Sequence, residues 1–132
     1  MIGRMALWLA LTAAAASCAS VPPRHALVMP DRLSGLGTEP FWNITLAGNR
    51  LTYRDAETTG ESVADVARRE KRGQLIVEGR AGDTRLLATF SVADCSDGMS
   101  DRRYPYSLTL TFGYRTLRVC AYPPDMMFTG AP

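Results

Sequence analysis

Apolar and polar residues alternate along three stretches of the chain, and each stretch is centred on a dipeptide led by glycine. In PFWNITLAGNRLTYRD the dipeptide is Gly48-Asn49, which suits a two-residue hairpin turn. Pairing about it sets Leu46 opposite Leu51 and Ile44 opposite Tyr53, with Trp42 on the same face. Asn43, Thr45, Thr52 and Arg54 fall on the other face. One apolar and one polar face is what a half-buried antiparallel pair requires. In QLIVEGRAGDTRLLATFSV the turn is Gly82-Asp83. Leu75, Val77 and Gly79 then oppose Phe90, Ala88 and Leu86, and Arg80 meets Arg85, a mild penalty. In YPYSLTLTFGYRTLRVCAY the turn is Gly113-Tyr114. Tyr106, Leu108, Leu110 and Phe112 share a face with Leu117, Val119 and Ala121, while Cys120 faces the other way, opposite Ser107. Tyrosine fits the second turn position poorly, which suggests a longer loop there.

These hairpins supply six strands. Residues 57–70 are ambiguous: Val63, Val66 and Ala67 have helical spacing, but Val63 to Ala67 also reads as a short strand. Arg68 to Arg72 reads as a solvated charged end. A sheet with one apolar face must curl or fold over itself to bury that face. The expected fold is therefore mainly β: a small antiparallel β-barrel, curled sheet or sandwich of about six to eight strands with one disulfide.

The chain begins MIGRMALWLALTAAAASC. A single Arg4 precedes an apolar run too short for a comfortable membrane span, followed by small residues and Cys18. The tetrad AASC resembles the lipobox of bacterial lipoproteins, which implies a signal peptide over 1–17 and lipid, including palmitate, on Cys18. Residues 18–33 contain three prolines and no usable period, so they read as anchor and tether, and 34–132 as the β domain. Taking Cys18 for the lipid leaves Cys95 and Cys120 as an even pair in an oxidising compartment. Without Arg4 the mature chain carries fourteen basic and thirteen acidic side chains. So even a balance gives no field for nucleic acid, and no nucleic-acid partner is expected.

Catalytic groups are scarce. His25, the only histidine, lies in the tether, so a Ser-His or Cys-His pair is not expected, and no phosphate-binding glycine loop is present. Asp94, Asp97 and Asp101 are candidates for a carboxylate pair, but turn chemistry between two strands accounts for them more simply. Asp94, Ser96, Asp97 and Asp101 offer oxygens to calcium, although their spacing departs from the alternating calcium loop. No cofactor is expected, and the expectation is not an enzyme. Trp42 reads as closing a barrel end, Glu39 as an ion-pair partner for an arginine on another strand, and DMMF near the C-terminus as an apolar cover for the sheet.

GTEPFW, then CSDGMSDRRYPY, then LRVCAY together resemble an uncharacterised family of bacterial envelope lipoproteins over Gly37 to Tyr122. That resemblance implies a compact β domain in the envelope and adds weight to a Cys95–Cys120 bond. SDRRY is also similar to the inhibitory loop of membrane-bound inhibitors of c-type lysozymes, matching at Ser100, Arg103 and Tyr104 and departing at Asp101 and Arg102. Those inhibitors plug the lysozyme cleft, which implies lysozyme as a protein partner.

The functional expectation is a lipid-anchored, periplasm-facing envelope protein, with the outer membrane as the expected residence because Ala19 follows Cys18. It is a non-catalytic binding module using the loop 94–106, with Asp97, Ser100, Arg102, Arg103, Tyr104, Glu39 and Trp42 as binding residues. A binding or inhibitory module has Arg102, Arg103 and Tyr104 exposed. The alternatives are a c-type lysozyme inhibitor and a carrier of a small apolar ligand, the carrier with a cavity behind Trp42 and Tyr53.

Overall fold

A computed structural model of the chain describes residues 29–39, 41–57 and 60–129. The described residues form eight strands: β1 (Arg32–Thr38), β2 (Phe41–Ala47), β3 (Arg50–Asp55), β4 (Ser62–Lys71), β5 (Gln74–Ala81), β6 (Thr84–Ser96), β7 (Arg103–Phe112) and β8 (Arg115–Tyr122). Each strand pairs antiparallel with the next, and β8 returns to β1 to close the barrel. Closure solves the edge problem of a small sheet whose apolar face must be buried. The expected signal peptide, the expected lipid site Cys18 and most of the expected tether lie outside the described residues.

All three hairpins have the register that alternation sets, including Ile44↔Tyr53, Val77↔Ala88, Arg80↔Arg85 and Ser107↔Cys120. The turn at Gly113-Tyr114 is nevertheless a two-residue turn, not a longer loop. Gly113 has φ 62° and Tyr114 is not in the left-handed region. A turn that needs positive φ only at its first position accepts tyrosine at its second.

Two strands join the expected six. β4 settles 57–70 as strand from Ser62 onward. Ala64 and Val66 point inward and Val63 is 41% exposed, so the helical spacing of the valines was coincidental. β1 begins at Arg32, so the folded part starts before residue 34, and Leu33 and Met29 are in the core.

Eight strands enclose an interior just wide enough for side chains to fill it. Leu33, Ile44, Leu46, Leu51, Leu75, Val77, Leu86, Phe90, Leu108 and Leu110 fill it here, all nearly inaccessible. Arg68 is a correction to the expected solvated charge run. It occupies an inward position near one barrel end, its side chain only 16% exposed. Its guanidinium donates to the carbonyls of Pro30 (3.0 Å), Asp31 (2.9 Å) and Gly48 (2.9 Å). A planar fork of five N–H donors can satisfy several converging carbonyls at once.

Candidate functional site

β6 runs for 13 residues, longer than any other strand, and its ladder with β7 shifts register between Val92 and Cys95. A bulge bends the strand and re-aims the side chains beyond it. Past the shift, Cys95 reaches Cys120 on β8 in a disulfide, with Cα atoms 5.6 Å apart. The bond draws the β6–β7 connection against β8.

The connection is braced mainly by Asp97. Its carboxylate accepts from the backbone N–H of Met99 (2.9 Å) and Ser100 (2.8 Å), from Ser100 Oγ (2.8 Å) and from Tyr104 OH (3.0 Å). These bonds, the Ser100 backbone N–H first, hold the Asp97 carboxyl far below the usual carboxylate range. Burial, then the bond to Asp97, pushes the Tyr104 phenol up. Arg103 forks onto Asp94 through Nε (2.8 Å) and Nη2 (2.7 Å), which lowers the Asp94 carboxyl in turn. The Tyr104 ring meets Tyr122 and Phe128 at centroid distances of 5.7 and 5.3 Å, and the Arg102 guanidinium stacks 5.0 Å from the Phe128 centroid. Phe128 therefore covers Tyr104 of β7 and Tyr122 of β8 beside the loop, while Met127 is 90% exposed.

The loop flanks an open cleft of about 800 Å³. The cleft exists because the closing ladder is short. β1 and β8 share two residue pairs, Ser34↔Tyr122 and Gly35↔Ala121, whereas each pairs with its other neighbour along its length. Past Gly35, the stretch Leu36–Glu39 and the β8 stretch Thr116–Cys120 form opposite walls, with Asp97 and Met99 at one end and Trp42 behind. Leu36 is 52% and Met99 68% exposed, so the rim offers apolar surface to a partner.

The expected binding residues divide. Asp97, Glu39 and Trp42 line the cleft. Ser100 and Tyr104 stand behind Asp97 and hold it in place. Arg102 and Arg103 are used within the loop, and only Arg103 of the two is exposed. The exposure expected of Arg102 and Tyr104 for a binding or inhibitory loop is not what the structure has, since both are half-buried and only Arg103 meets it. Glu39 has no ion-pair partner among the described residues, contrary to expectation. Leu36, Met99 and the β8 wall escaped the sequence reading, although an exposed methionine inside an acidic loop was a usable signal. Asp94 and Asp97 are engaged by different partners, and no three metal-ligating side chains converge among the described residues.

The geometry has two measurable consequences. Trp42 keeps its place because Gly37 has no side chain: a Cβ there would lie 1.9 Å from the indole Nε1. Gly37→Ala should displace the indole, lower stability by about 1–3 kcal/mol and change Trp42 fluorescence. An unchanged spectrum and melting curve would refute that packing. For Asp97, a folded pKa below the unfolded 3.8 means its contribution is complete above that value and fades as pH falls below it. The amide shifts of Met99 and Ser100 should thus hold from pH 7 to 5 and move only in stronger acid. Asp97→Asn should displace them at neutral pH.

Neither family models, curated proteins nor solved structures give a match to the chain.

Proposed function

We propose that the protein is a non-catalytic, lipid-anchored binding module of the bacterial cell envelope that holds a partner in the cleft beside the loop 94–106. The observation that carries this reading is the braced loop beside an open cleft whose rim exposes Leu36 and Met99. Bracing before binding reduces the ordering cost of association. Loops on a rigid scaffold are the usual place for recognition residues.

Other features support the same reading. Asp94 and Asp97 are both held ionised, the wrong state for a general acid near neutral pH. The barrel interior is packed with side chains, which favours a ligand held at the surface over a small apolar cargo inside. Anchoring through Cys18 and residence at the outer membrane rest on the sequence motif. Labelling with a palmitate analogue, lost in Cys18→Ala, tests the anchoring, and separation of inner from outer membranes tests the residence.

The binding reading is tested by Leu36→Asp with Met99→Asp. Both side chains are exposed, so stability should change by less than about 0.5 kcal/mol each. Envelope complexes stabilised by chemical crosslinking should lose their partner in this variant. Retention of every complex would sink the assignment of the cleft. Lysozyme as that partner predicts inhibition of cell-wall clearing by the oxidised protein, and no inhibition at micromolar protein retires it.

A further inference from the structure

A second cavity, of about 510 Å³, opens at the barrel end that carries the turns Gly82-Asp83 and Gly113-Tyr114. Its floor is unusual for a packed barrel. Tyr53 is only 2% exposed, and its buried hydroxyl, close to the Asp55 carboxylate, has no hydrogen bond of good geometry among the described residues. The Asp55 side chain is 5% exposed; its carboxylate accepts from the Glu57 backbone N–H (3.1 Å) and lies 3.7 Å from Arg115 Nη1, within ion-pair range. Burial and the nearby Asp55 charge push the Tyr53 phenol up, with Arg115 opposing. A buried hydroxyl left without a well-formed bond beside a buried carboxylate lowers stability. A ligand that bonds to that hydroxyl gives the arrangement a use.

The walls indicate the ligand's chemistry. The lining carries two acids and one base, and each already has a partner: Asp55 pairs with Arg115, and Glu61 with Arg54 outside the lining. An ionic ligand would have to compete with these existing pairs, whereas a neutral molecule need not, so a neutral molecule fits best. Ser62 and Thr84 add hydroxyls. Phe112, 5.2 Å from Tyr53 between centroids, and Tyr114, 98% exposed at the rim, add aromatic faces. A pyranose presents hydroxyls around its edge and C–H groups on its faces, matching both kinds of wall. The volume lies within the range of small-molecule sites.

We propose that this barrel mouth is a saccharide-binding site, separate from the cleft, in which Tyr114 stacks on the sugar face and Tyr53, Asp55 and Arg115 take its hydroxyls. The Arg115 side chain, one-third exposed, moves to admit the sugar to the floor.

The test is a titration of the ¹⁵N-labelled full chain with glucose, N-acetylglucosamine, choline chloride or glycylglycine. One of the two sugars should produce saturable shifts at the amides of Ser62, Thr84 and Tyr114, with a millimolar dissociation constant. Tyr114→Ala should weaken this about fivefold and leave the melting temperature unchanged. Tyr53→Phe should weaken binding while raising the melting temperature of the free protein by about 5 °C, because it removes a poorly bonded hydroxyl and keeps the ring. Flat titrations with both sugars to about 50 mM would overturn the proposal. So would saturation by choline or the dipeptide in place of the sugars, or sugar shifts that survive both substitutions.

Discussion

The oxidised protein should melt about 15 °C above the Cys95→Ser, Cys120→Ser double variant. The bond spans 25 residues of sequence, for which chain entropy alone gives about 3 kcal/mol. More is at stake than the unfolded chain's freedom. The segment that the bond encloses includes β7 and the loop 97–102, and the bond holds that loop against β8 past the bulge. Thermal unfolding should therefore be accompanied, well below the melting temperature, by movement of the Met99 and Ser100 amides in the double variant. A loss under about 1 kcal/mol with unchanged loop amides would show that Asp97 holds the loop unaided.

Arg68→Ala should cost about 2–3 kcal/mol. The guanidinium is mostly buried and serves three backbone carbonyls from two separate segments, 30–31 and 48. Its ion pair with Asp31 adds little, because that carboxylate is 78% exposed. Lysine offers a single ammonium on a flexible stem and cannot span the same carbonyls, so Arg68→Lys should recover less than half of the loss. Denaturant unfolding of the two variants decides this. Full rescue by lysine would mean that charge, and not the fork, is what the barrel end uses.

The hairpins were legible because each has strict alternation and a glycine-led turn, so local chemistry and burial agree. β1 was hidden for a physical reason. Its inward residues are Leu33, Gly35 and Gly37, and the two glycines are there because neighbours occupy the space: a Cβ at Gly35 would sit 2.8 Å from Leu108. Inward glycine erases the apolar alternation that marks a strand. β4 was ambiguous for a related reason, with small Ala64 inside and Val63 outside. Arg68 read as a surface charge because alternation says which face a residue takes, not which carbonyls converge on it.

The candidate site was half legible. CSDGMSDRRYPY marked the loop, and the cysteine count gave the bond that pins it. The roles within the loop were not readable, since Arg103 and Arg102 resemble binding groups until their partners Asp94 and Phe128 are known. The cleft itself arises from the shortness of the β1–β8 ladder, a property of closure between the two ends of the chain. No local pattern encodes it. The carrier alternative placed an apolar cavity at Tyr53, but the polar wall of the mouth there was not readable: Asp55 and Arg115 meet only because β3 and β8 share one barrel end.

The central claim is that a partner is held at the cleft. Its most direct test places a photo-crosslinking amino acid at position 99, on the cleft rim, or at position 63, exposed on β4 across the barrel, in living cells. A partner in the cleft predicts one discrete adduct from position 99 that disappears in Asp97→Ala, and none from position 63. Adducts of equal yield and pattern from both positions, or none from position 99 while the protein is folded and oxidised, would contradict it.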